Sequence, residues 1–297
     1  MAGPPGALSS ASTNARPAAL ACRSVSAGYR GTPVLHDVSF TIDEPAVYVV
    51  LGPNGAGKTT LFRTIAGVLP PTGGEVSVRG VPVGAGAARD DLHYLSHLDG
   101  MPDGLTVREC LDFYARVEGA TAADVDRVID RLEIRELTGS YTSKLSAGQR
   151  KRVSVARVFL RERAIYLLDE PTSNLDPKVA REIRTLILDL SRDKIVLYSS
   201  HNLFEAREIG RYVIALKEGR LTLFDRLEHL RGARYLVGVR TVEPSDALRG
   251  WARQGEYHVR ELPGPEQVPA LIRELEASGV KIRELREMDN PLEELFT

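Results

Sequence analysis

Long apolar runs, paired cysteines and a surplus of charge are all missing from this sequence. No stretch of its 297 residues reaches the ~18 uninterrupted apolar residues that a membrane-spanning helix needs. The two cysteines, Cys22 and Cys110, show neither a disulfide nor a metal-ligand spacing, which predicts a reduced, cytoplasmic setting. The formal net charge of −1 gives no general attraction to polyanions, so no nucleic acid partner is expected.

The remaining composition is that of an ordinary globular protein. Hydrophobic residues make up 43% of the chain and charged residues 27%, so the chain can bury a core without disulfides or metal. Its length allows one large domain and a smaller one. Residues 1–19 are rich in Ala, Gly, Pro and Ser and lack an apolar stretch of signal-peptide length, which predicts a flexible tail.

Apolar strand patterns that alternate with helix patterns predict an α/β core. Ala46–Leu51 is a continuous apolar run, typical of a strand buried on both faces of a parallel sheet, and Ala164–Leu168 and Ile195–Ser199 repeat this pattern. Predicted helices separate these strands, as in mostly parallel sheets. Alternating segments that precede the first run and a glycine-punctuated hairpin that follows it predict an additional antiparallel β subdomain.

Two regions depart from this rhythm. Residues from about 92 to 145 carry helical patterns, including a capping box from Thr106 to Glu109, and predict a helical insert in a domain that spans 20–223. Residues 224–297 combine strand patterns with one amphipathic helix. They predict a small accessory α+β domain at the C-terminal end, and no catalytic motif lies in it.

A phosphate-binding loop is the strongest motif. The segment Gly52–Thr59 fits G-x-x-x-x-G-K-[ST] between a predicted strand and a predicted helix, which predicts a P-loop NTPase core rather than a plain glycine-rich turn. Its backbone N–H groups and the helix N-terminus attract phosphate oxygens. Lys58 is predicted to contact the β- and γ-phosphates and to serve catalysis, and Thr59 to give its hydroxyl to Mg²⁺. The expected nucleotide-binding residues of the loop are Gly52, Pro53, Asn54, Gly55, Ala56, Gly57, Lys58, Thr59 and Thr60.

An acidic pair follows another buried strand. Asp169 and Glu170 come directly after Leu168, at the edge of the sheet where ligands gather. We predict that Asp169 orders the Mg²⁺ shell and that Glu170 polarises the attacking water as general base. A surface Asp-Glu pair is common, so this interpretation depends on the upstream phosphate loop. His201, after a strand of the same sheet, is a catalytic candidate, with a structural hydrogen-bonding role as the alternative.

Together these motifs resemble a known family. Residues 145–149 read Leu-Ser-Ala-Gly-Gln before three basic residues, and the segment is similar to the signature motif of ABC (ATP-binding cassette) proteins, with Ala147 where glycine is commoner. The phosphate loop, the signature-like segment, the acidic pair, the Ser173–Asp176 segment and His201 follow the family's order. The chain therefore resembles the nucleotide-binding subunit of ABC transporters.

The resemblance implies a head-to-tail dimer of ATPase subunits that traps ATP between them. Ser146, Gly148 and Gln149 of one subunit would face the γ-phosphate that the other subunit's phosphate loop holds. A helix N-terminus with small residues suits this approach, because it offers N–H donors to phosphate. Asp176 would lie at the dimer seam, and hydrolysis would require both subunits.

Three further roles are implied by the same resemblance. Tyr29 matches the position whose ring stacks on adenine, with a packed strand residue as the alternative. His201 would contact the γ-phosphate and help to hold the attacking water. His97 stands at the lid-hinge position that is usually glutamine, and its imidazole can still hydrogen-bond a metal-bound water.

The resemblance also implies a setting. The segment Asn290–Thr297 is similar to the ending of ATPases that serve ABC-2-type exporters. It implies a peripheral subunit on the cytoplasmic face of the cell membrane, which powers export by separate transmembrane permease subunits. The alternatives are an importer ATPase, a soluble ABC ATPase that acts on ribosomes or DNA, and a non-hydrolysing regulatory cassette. The sequence shows no long coiled-coil insertion, second cassette or basic patch, which are usual in soluble ABC ATPases. The non-hydrolysing cassette is disfavoured by the intact Lys58, Asp169, Glu170 and His201.

Overall fold

The computed structural model describes residues 19–85, 87–97, 100–173, 175–230, 235–263 and 267–288. Most of the predicted tail and the whole exporter-like segment Asn290–Thr297 lie outside the described residues. The described part of the chain is an α/β structure with three sheets.

The strands and helices follow the predicted order, with several additions. The described strands are β1 (Leu20–Tyr29), β2 (Thr32–Ile42), β3 (Ala46–Leu51), β4 (Gly73–Val78), β5 (Val81–Pro82), β6 (Leu92–Leu95), β7 (Ile165–Asp169), β8 (Ile195–Ser200), β9 (Tyr212–Lys217), β10 (Arg220–Arg226), β11 (Tyr235–Thr241), β12 (Ala252–Gln254), β13 (Tyr257–Leu262) and β14 (Ile282–Met288). The described α-helices are α1 (Lys58–Ile65), α2 (Val107–Glu118), α3 (Ala122–Arg131), α4 (Ala147–Val158), α5 (Pro177–Leu190), α6 (Leu203–Ile209), α7 (Leu227–Leu230) and α8 (Val268–Ala277). None of these described helices combines the length and apolarity needed to cross a membrane.

The central sheet is mostly parallel, as predicted. Its strand order is β10-β9-β3-β8-β7-β6. Parallel pairs join β3 to β8 and β9, and join β7 to β6 and β8. The edge strand β10 pairs antiparallel with β9 and runs to Arg226, so the predicted domain boundary at residue 223 lies inside this strand.

The buried strands show why the apolar runs are continuous. All residues of β3 are buried, and their side chains alternate between two cores. Val47 and Val49 belong to the core that α2 to α6 cover, whereas Tyr48 and Val50 belong to the core shared with α1 and the antiparallel sheet. A strand with helices on one face and a second sheet on the other has no solvent-facing side, so no polar alternation appears in its sequence.

The antiparallel subdomain has the strand order β2-β1-β4-β5, and β4 and β5 form the predicted hairpin. The helical insert is shorter than the predicted range 92–145. Its first four residues form β6, which pairs in parallel with β7 at the edge of the central sheet. His93 and Tyr94 interrupt the apolar pattern of this short segment, so its strand state comes from pairing with β7. The helical part opens at Thr106, whose capping box with Glu109 is present.

The C-terminal unit is an α+β structure, as predicted. Its sheet has the antiparallel order β12-β13-β11-β14, and the short exposed strand β12 adds to the three predicted ones. The helix α8 begins at Val268, and the predicted start at Pro265 lies outside the described residues. Helix and sheet share a separate small core, made of Val237, Val239, Leu248, Leu262, Leu271, Leu275 and Val280.

Burial of His93 predicts a loss of stability in acid. The residue is 8% exposed, and its ring stacks on Tyr166 at a centroid distance of 5.7 Å. Burial lowers the pKa of His93 to about 4, although the Glu118 carboxylate 4.0 Å away opposes the shift. The unfolded chain takes up this proton near the ordinary pKa of 6.5, and the folded chain only near 4. The free energy of unfolding should therefore fall as pH drops through this window, by up to about 3 kcal/mol.

Urea unfolding at several pH values between neutral and about 5 measures this effect. We expect His93→Gln to lose less stability than the parent over the same range, because the substituted side chain does not titrate. His258→Gln, which removes a half-buried histidine of β13, is the matched control. Parallel pH dependence in the parent and in His93→Gln would show that the prediction is wrong.

Candidate functional site

The predicted phosphate loop connects β3 to α1 at the C-terminal edge of the parallel strands. Gly57 is the N-cap of α1 with a left-handed φ of 101°, and a Cβ on it would lie 2.8 Å from Cδ2 of Leu35. A Cβ on Gly52 would lie 2.4 Å from the carbonyl oxygen of Leu216 in β9. Only glycine fits at these two positions, because the loop folds tightly against the sheet. Backbone N–H groups are thereby gathered at the start of α1, where anions bind.

Lys58 is the first residue of α1, and its ammonium group lies over the loop. Nζ donates hydrogen bonds to the carbonyl oxygens of Gly52 at 2.7 Å and Pro53 at 3.1 Å. Burial lowers the pKa of Lys58, and the carboxylates of Glu170 and Asp169 oppose that shift. The amine is held inside the loop within electrostatic reach of the acidic pair. From this position it can exchange backbone carbonyls for phosphate oxygens.

The other predicted residues of the loop differ in their exposure. Asn54 and Gly55 are exposed at its tip, and Thr59 is half-buried at the start of α1. Ala56 is 3% exposed and Thr60 is 6% exposed, so both pack against the protein interior. The surface that the loop offers to a ligand therefore centres on its exposed tip and on the side chains of Lys58 and Thr59.

Asp169 ends β7 in a buried position. The residue is 1% exposed, and its Oδ1 accepts a hydrogen bond of 2.7 Å from Oγ of Ser199. Its Oδ2 is buried and has no hydrogen-bond partner among the described residues. Burying a carboxylate oxygen without a partner is costly, so Oδ2 fits a position where a ligand completes the site.

The carboxylate of Glu170 lies between two histidines. Oε1 is 3.3 Å from Nδ1 of His201, and Oε2 is 3.7 Å from Nδ1 of His97. The backbone of Glu170 has a left-handed φ of 48°, a conformation that costs about 1–3 kcal/mol in a residue with a side chain. Its N–H donates to Oγ of Ser199 at 2.9 Å, which helps to hold this conformation. The fold thus brings together three predicted residues that are far apart in sequence.

Ser199 is a member of the site that the sequence analysis missed. Its hydroxyl donates to Asp169 and accepts from the N–H of Glu170, so it fixes both acidic residues. The available signal is weak: the apolar run of β8 ends in two buried serines, Ser199 and Ser200, where an apolar core position is expected. Buried hydroxyls of this kind are normally hydrogen-bonded, so they point to a polar neighbour on an adjacent strand.

The signature-like segment lies at the N-terminus of α4. Oγ of Ser146 accepts from the N–H of Gln149 at 3.2 Å, and the Ser146 N–H donates to Oε1 of Gln149 at 2.9 Å. Ser146, Gly148 and Asp176 line one side of a cavity of about 460 Å³. The cavity beside the acidic pair, about 400 Å³ in volume, shares no described lining residue with it. Ser146 and Gly148 thus line a different cavity from Glu170 and His201, although Asp176 lies between Leu175 and Pro177, which line the cavity of Glu170.

Tyr29 and Asp176 are surface residues of the same domain. Tyr29 ends β1 with 38% of its surface exposed, and its hydroxyl accepts a hydrogen bond of 3.1 Å from Arg63. Asp176 is the exposed N-cap of α5, and its carboxylate accepts from the N–H of Lys178 at 2.9 Å. Neither side chain contacts the acidic pair through a described hydrogen bond, so any shared role needs a ligand or a second subunit.

Comparisons with known proteins agree with this geometry. The family described as ABC transporter matches residues 35–173. The chain is 31% identical over 286 residues to the Nod factor export ATP-binding protein I of Rhizobium johnstonii, covering 90% of this chain and 91% of that protein. It is 31% identical over 265 residues to the energy-coupling factor transporter ATP-binding protein EcfA of Methanoculleus marisnigri, covering 86% of this chain and 88% of that protein.

Two solved structures show the same architecture. An ATP-binding subunit of an ABC transporter superposes with a TM-score of 0.66 at 26% identity, covering 71% of this chain and 91% of that one. The dimeric ATP-binding cassette MJ0796, bound to ADP and phosphate in a post-hydrolysis state, superposes with a TM-score of 0.65 at 24% identity, covering 70% of this chain and 98% of that one. The second likeness bears on the fold alone.

The parallel sheet, the phosphate loop after β3 and the acidic pair after β7 define a P-loop ATPase. The chain belongs to the ABC transporter family, as one of its ATP-binding proteins. The predicted family, the predicted fold class and the predicted ATPase class are thereby confirmed.

Proposed function

We propose that this chain binds and hydrolyses Mg²⁺-bound ATP as the peripheral subunit of an ABC exporter. In this proposal, it works at the cytoplasmic face of the membrane and drives separate transmembrane permease subunits. The observation that carries the hydrolytic part is the convergence of Lys58, Asp169 and Glu170, with His201 3.3 Å from Glu170. A lysine that binds phosphate, a carboxylate for the metal and a general base are the parts that phosphoryl transfer to water requires.

The residues present fit a magnesium ion. Oδ2 of Asp169 is buried without a described partner, and the Thr59 hydroxyl stands at the start of α1, so these two oxygens would hold the metal. Mg²⁺ prefers oxygen ligands and usually takes one or two from protein, with the rest from phosphates and water. When bound, the ion would neutralise charge on the phosphates.

The chain's own groups divide the remaining work. Lys58 would leave the carbonyls of Gly52 and Pro53 to donate to the β- and γ-phosphates. Glu170 would accept a proton from the attacking water, because its carboxylate stands at the rim of the site beside a partner that can orient it. His201 would hydrogen-bond the γ-phosphate and the attacking water. His97, on the other side of the Glu170 carboxylate, would hydrogen-bond a metal-bound water.

A second subunit would complete the site. The N-terminus of α4 exposes Ser146 and half-exposes Gly148, and both line a different cavity from Glu170. A head-to-tail pair related by two-fold symmetry would place this N-terminus over the partner's phosphate loop, and would do so twice. The N–H groups and partial positive charge of the helix end would then face the γ-phosphate. Asp176 lines the same cavity and would lie at the seam, while Tyr29 would stack on adenine.

The export assignment draws on the relatives and on the helical insert. The Nod factor protein named above is an export ATP-binding protein and aligns over 90% of this chain. The EcfA relative, at the same identity, supports an energy-coupling transporter as the second candidate. The insert offers a docking surface to a membrane partner, because Phe113 and Val117 on α2 are 47% and 65% exposed.

Loss of the Lys58 ammonium tests the nucleotide site directly. We expect Lys58→Ala to weaken binding of Mg²⁺-bound ATP by about 10-fold or more, because charge-assisted hydrogen bonds to phosphate disappear. Isothermal titration with ATP, beside thermal unfolding without nucleotide, separates this effect from misfolding. Lys144→Ala, which removes an exposed lysine before the signature-like segment, is the matched control. Equal affinity in Lys58→Ala and in the parent would overturn the proposed site.

Membrane partnership and direction need a separate experiment. We expect the full chain to co-purify with a multi-span membrane protein, and the reconstituted complex to move substrate out of the compartment that holds ATP. Uptake into the ATP-containing compartment would instead identify an importer. A ribosomal or DNA partner without membrane protein would replace the transporter proposal with the soluble alternative.

A further inference from the structure

Glu205 is a largely but not fully buried carboxylate that the proposed reaction does not use. It lies in the first turn of α6, directly after the loop that carries His201. Its side chain is only 14% exposed and faces the cavity beside the acidic pair. A carboxylate so far removed from water is tolerated only where donors surround it.

Four donor groups surround Glu205. Oε1 lies 2.8 Å from the Thr172 hydroxyl and 3.3 Å from a guanidinium nitrogen of Arg184 on α5. Oε2 accepts from the Tyr198 hydroxyl at 3.0 Å and from the Ser200 hydroxyl at 2.8 Å. Both carboxylate oxygens therefore have hydrogen-bond donors. These donors come from three parts of the fold, namely the segment after β7, helix α5 and strand β8.

The partners of Glu205 lie next to the proposed catalytic pair in sequence. Thr172 follows Glu170 by two residues, and Ser200 immediately precedes His201. The Ser200 hydroxyl also accepts from the N–H of Asn202 at 2.9 Å, so the turn on the other side of His201 is tied to the same group. One carboxylate thus connects the segment after Glu170 to both sides of His201.

We propose that Glu205 is a positioning residue that holds His201 against Glu170. The inference rests on the proposed ATP hydrolysis and adds a group that sets its geometry without touching nucleotide. The 3.3 Å separation between Glu170 and His201 is not enforced by either loop alone, because both side chains lie on connections beyond the strand ends. The hydrogen bonds around Glu205 hold both connections in place. A displacement of a catalytic group by about 1 Å can lower the reaction rate by up to about 10²-fold.

The conservative variant separates geometry from charge. Glu205→Gln can keep every contact, since its amide nitrogen can donate to Tyr198 and Ser200 while its oxygen accepts from Thr172 and Arg184. Glu205→Ala removes all of them. We expect kcat for ATP hydrolysis to fall by about 10- to 100-fold in Glu205→Ala and by less than about threefold in Glu205→Gln, with ATP affinity nearly unchanged in both.

A double-variant cycle distinguishes positioning from general destabilisation. If Glu205 acts through His201, the loss caused by Glu205→Ala should shrink well below its parental size in a His201→Ala background. Asp189→Ala, which breaks an exposed ion pair between Asp189 of α5 and Arg192, is the control for loss of an acid. Thermal unfolding of each variant gives the folded fraction at the assay temperature.

The possible results lead to different conclusions. A parental kcat in Glu205→Ala, an equal loss in Glu205→Gln, or a full loss that persists without His201 would overturn the positioning role. Parental turnover by Glu170→Gln would instead overturn the proposed hydrolytic mechanism, whatever the Glu205 variants do. A loss confined to Glu205→Ala and dependent on His201 would support both.

Discussion

Replacement of Glu170 by glutamine is expected to leave ATP binding intact and to lower hydrolysis by ~10²–10⁴-fold, the usual worth of a positioned general base. The amide has the shape of the carboxylate, so it can remain between His97 and His201. It cannot accept a proton from water at neutral pH. Lys58 and Asp169, which we propose hold the phosphates and the metal, are unchanged in this variant.

Single-turnover phosphate release measures the chemical step, and equilibrium binding of Mg²⁺-bound ATP measures affinity. Glu256→Gln, which alters an exposed carboxylate paired with Arg240 in the C-terminal unit, is the matched control. A Glu170→Gln variant that releases phosphate at the parental rate would remove Glu170 from the role of base. A variant that loses both binding and turnover would point to a structural role, because its backbone already adopts a strained conformation.

The fold was predictable where burial leaves a local pattern. Strands β3, β7 and β8 are buried along their whole lengths, so they appear as apolar runs. The edge strand β6 has four residues with His93 and Tyr94 in the middle, and its pairing partner β7 lies far along the chain. No local signal distinguishes such a segment from the start of the insert. The strand structure of β6 depends on its pairing with β7, which is distant in sequence.

The site shows the same division. The phosphate loop and the capped start of α4 could be predicted from sequence. Glycines at fixed spacing specify the loop, and a capping residue specifies the helix start, each within a few positions of the chain. Ser199 and Glu205 hold the catalytic candidates through contacts between elements that meet only in the folded chain. A serine at a strand end or a glutamate in a helix has too many ordinary explanations to be singled out from sequence.

A bulky cation at Ser146 should abolish ATP turnover and leave ATP affinity nearly unchanged. In Ser146→Arg the long side chain would block the close approach of the α4 N-terminus to the γ-phosphate on the other subunit. Ser146 is not part of the phosphate loop, residues 52–59, of its own chain, so we expect the first encounter of that loop with ATP to be unaffected. Loss of the Ser146 cap costs about 1 kcal/mol, which is too little to unfold the domain.

Thr121→Arg removes an equivalent capping box from α3 and controls for the loss of stability that Ser146→Arg causes.

Mixing subunits tests the cross-subunit geometry. A dimer of one Ser146→Arg chain and one Lys58→Ala chain contains one site with an intact phosphate loop from the first and an intact signature segment from the second. Turnover that returns on mixing two inactive variants cannot arise within a single chain. Parental activity in Ser146→Arg alone would contradict the head-to-tail arrangement, because the signature segment would then not be needed for turnover. Loss of ATP binding by Ser146→Arg would also contradict it, because the segment would then act on the phosphate loop of its own chain.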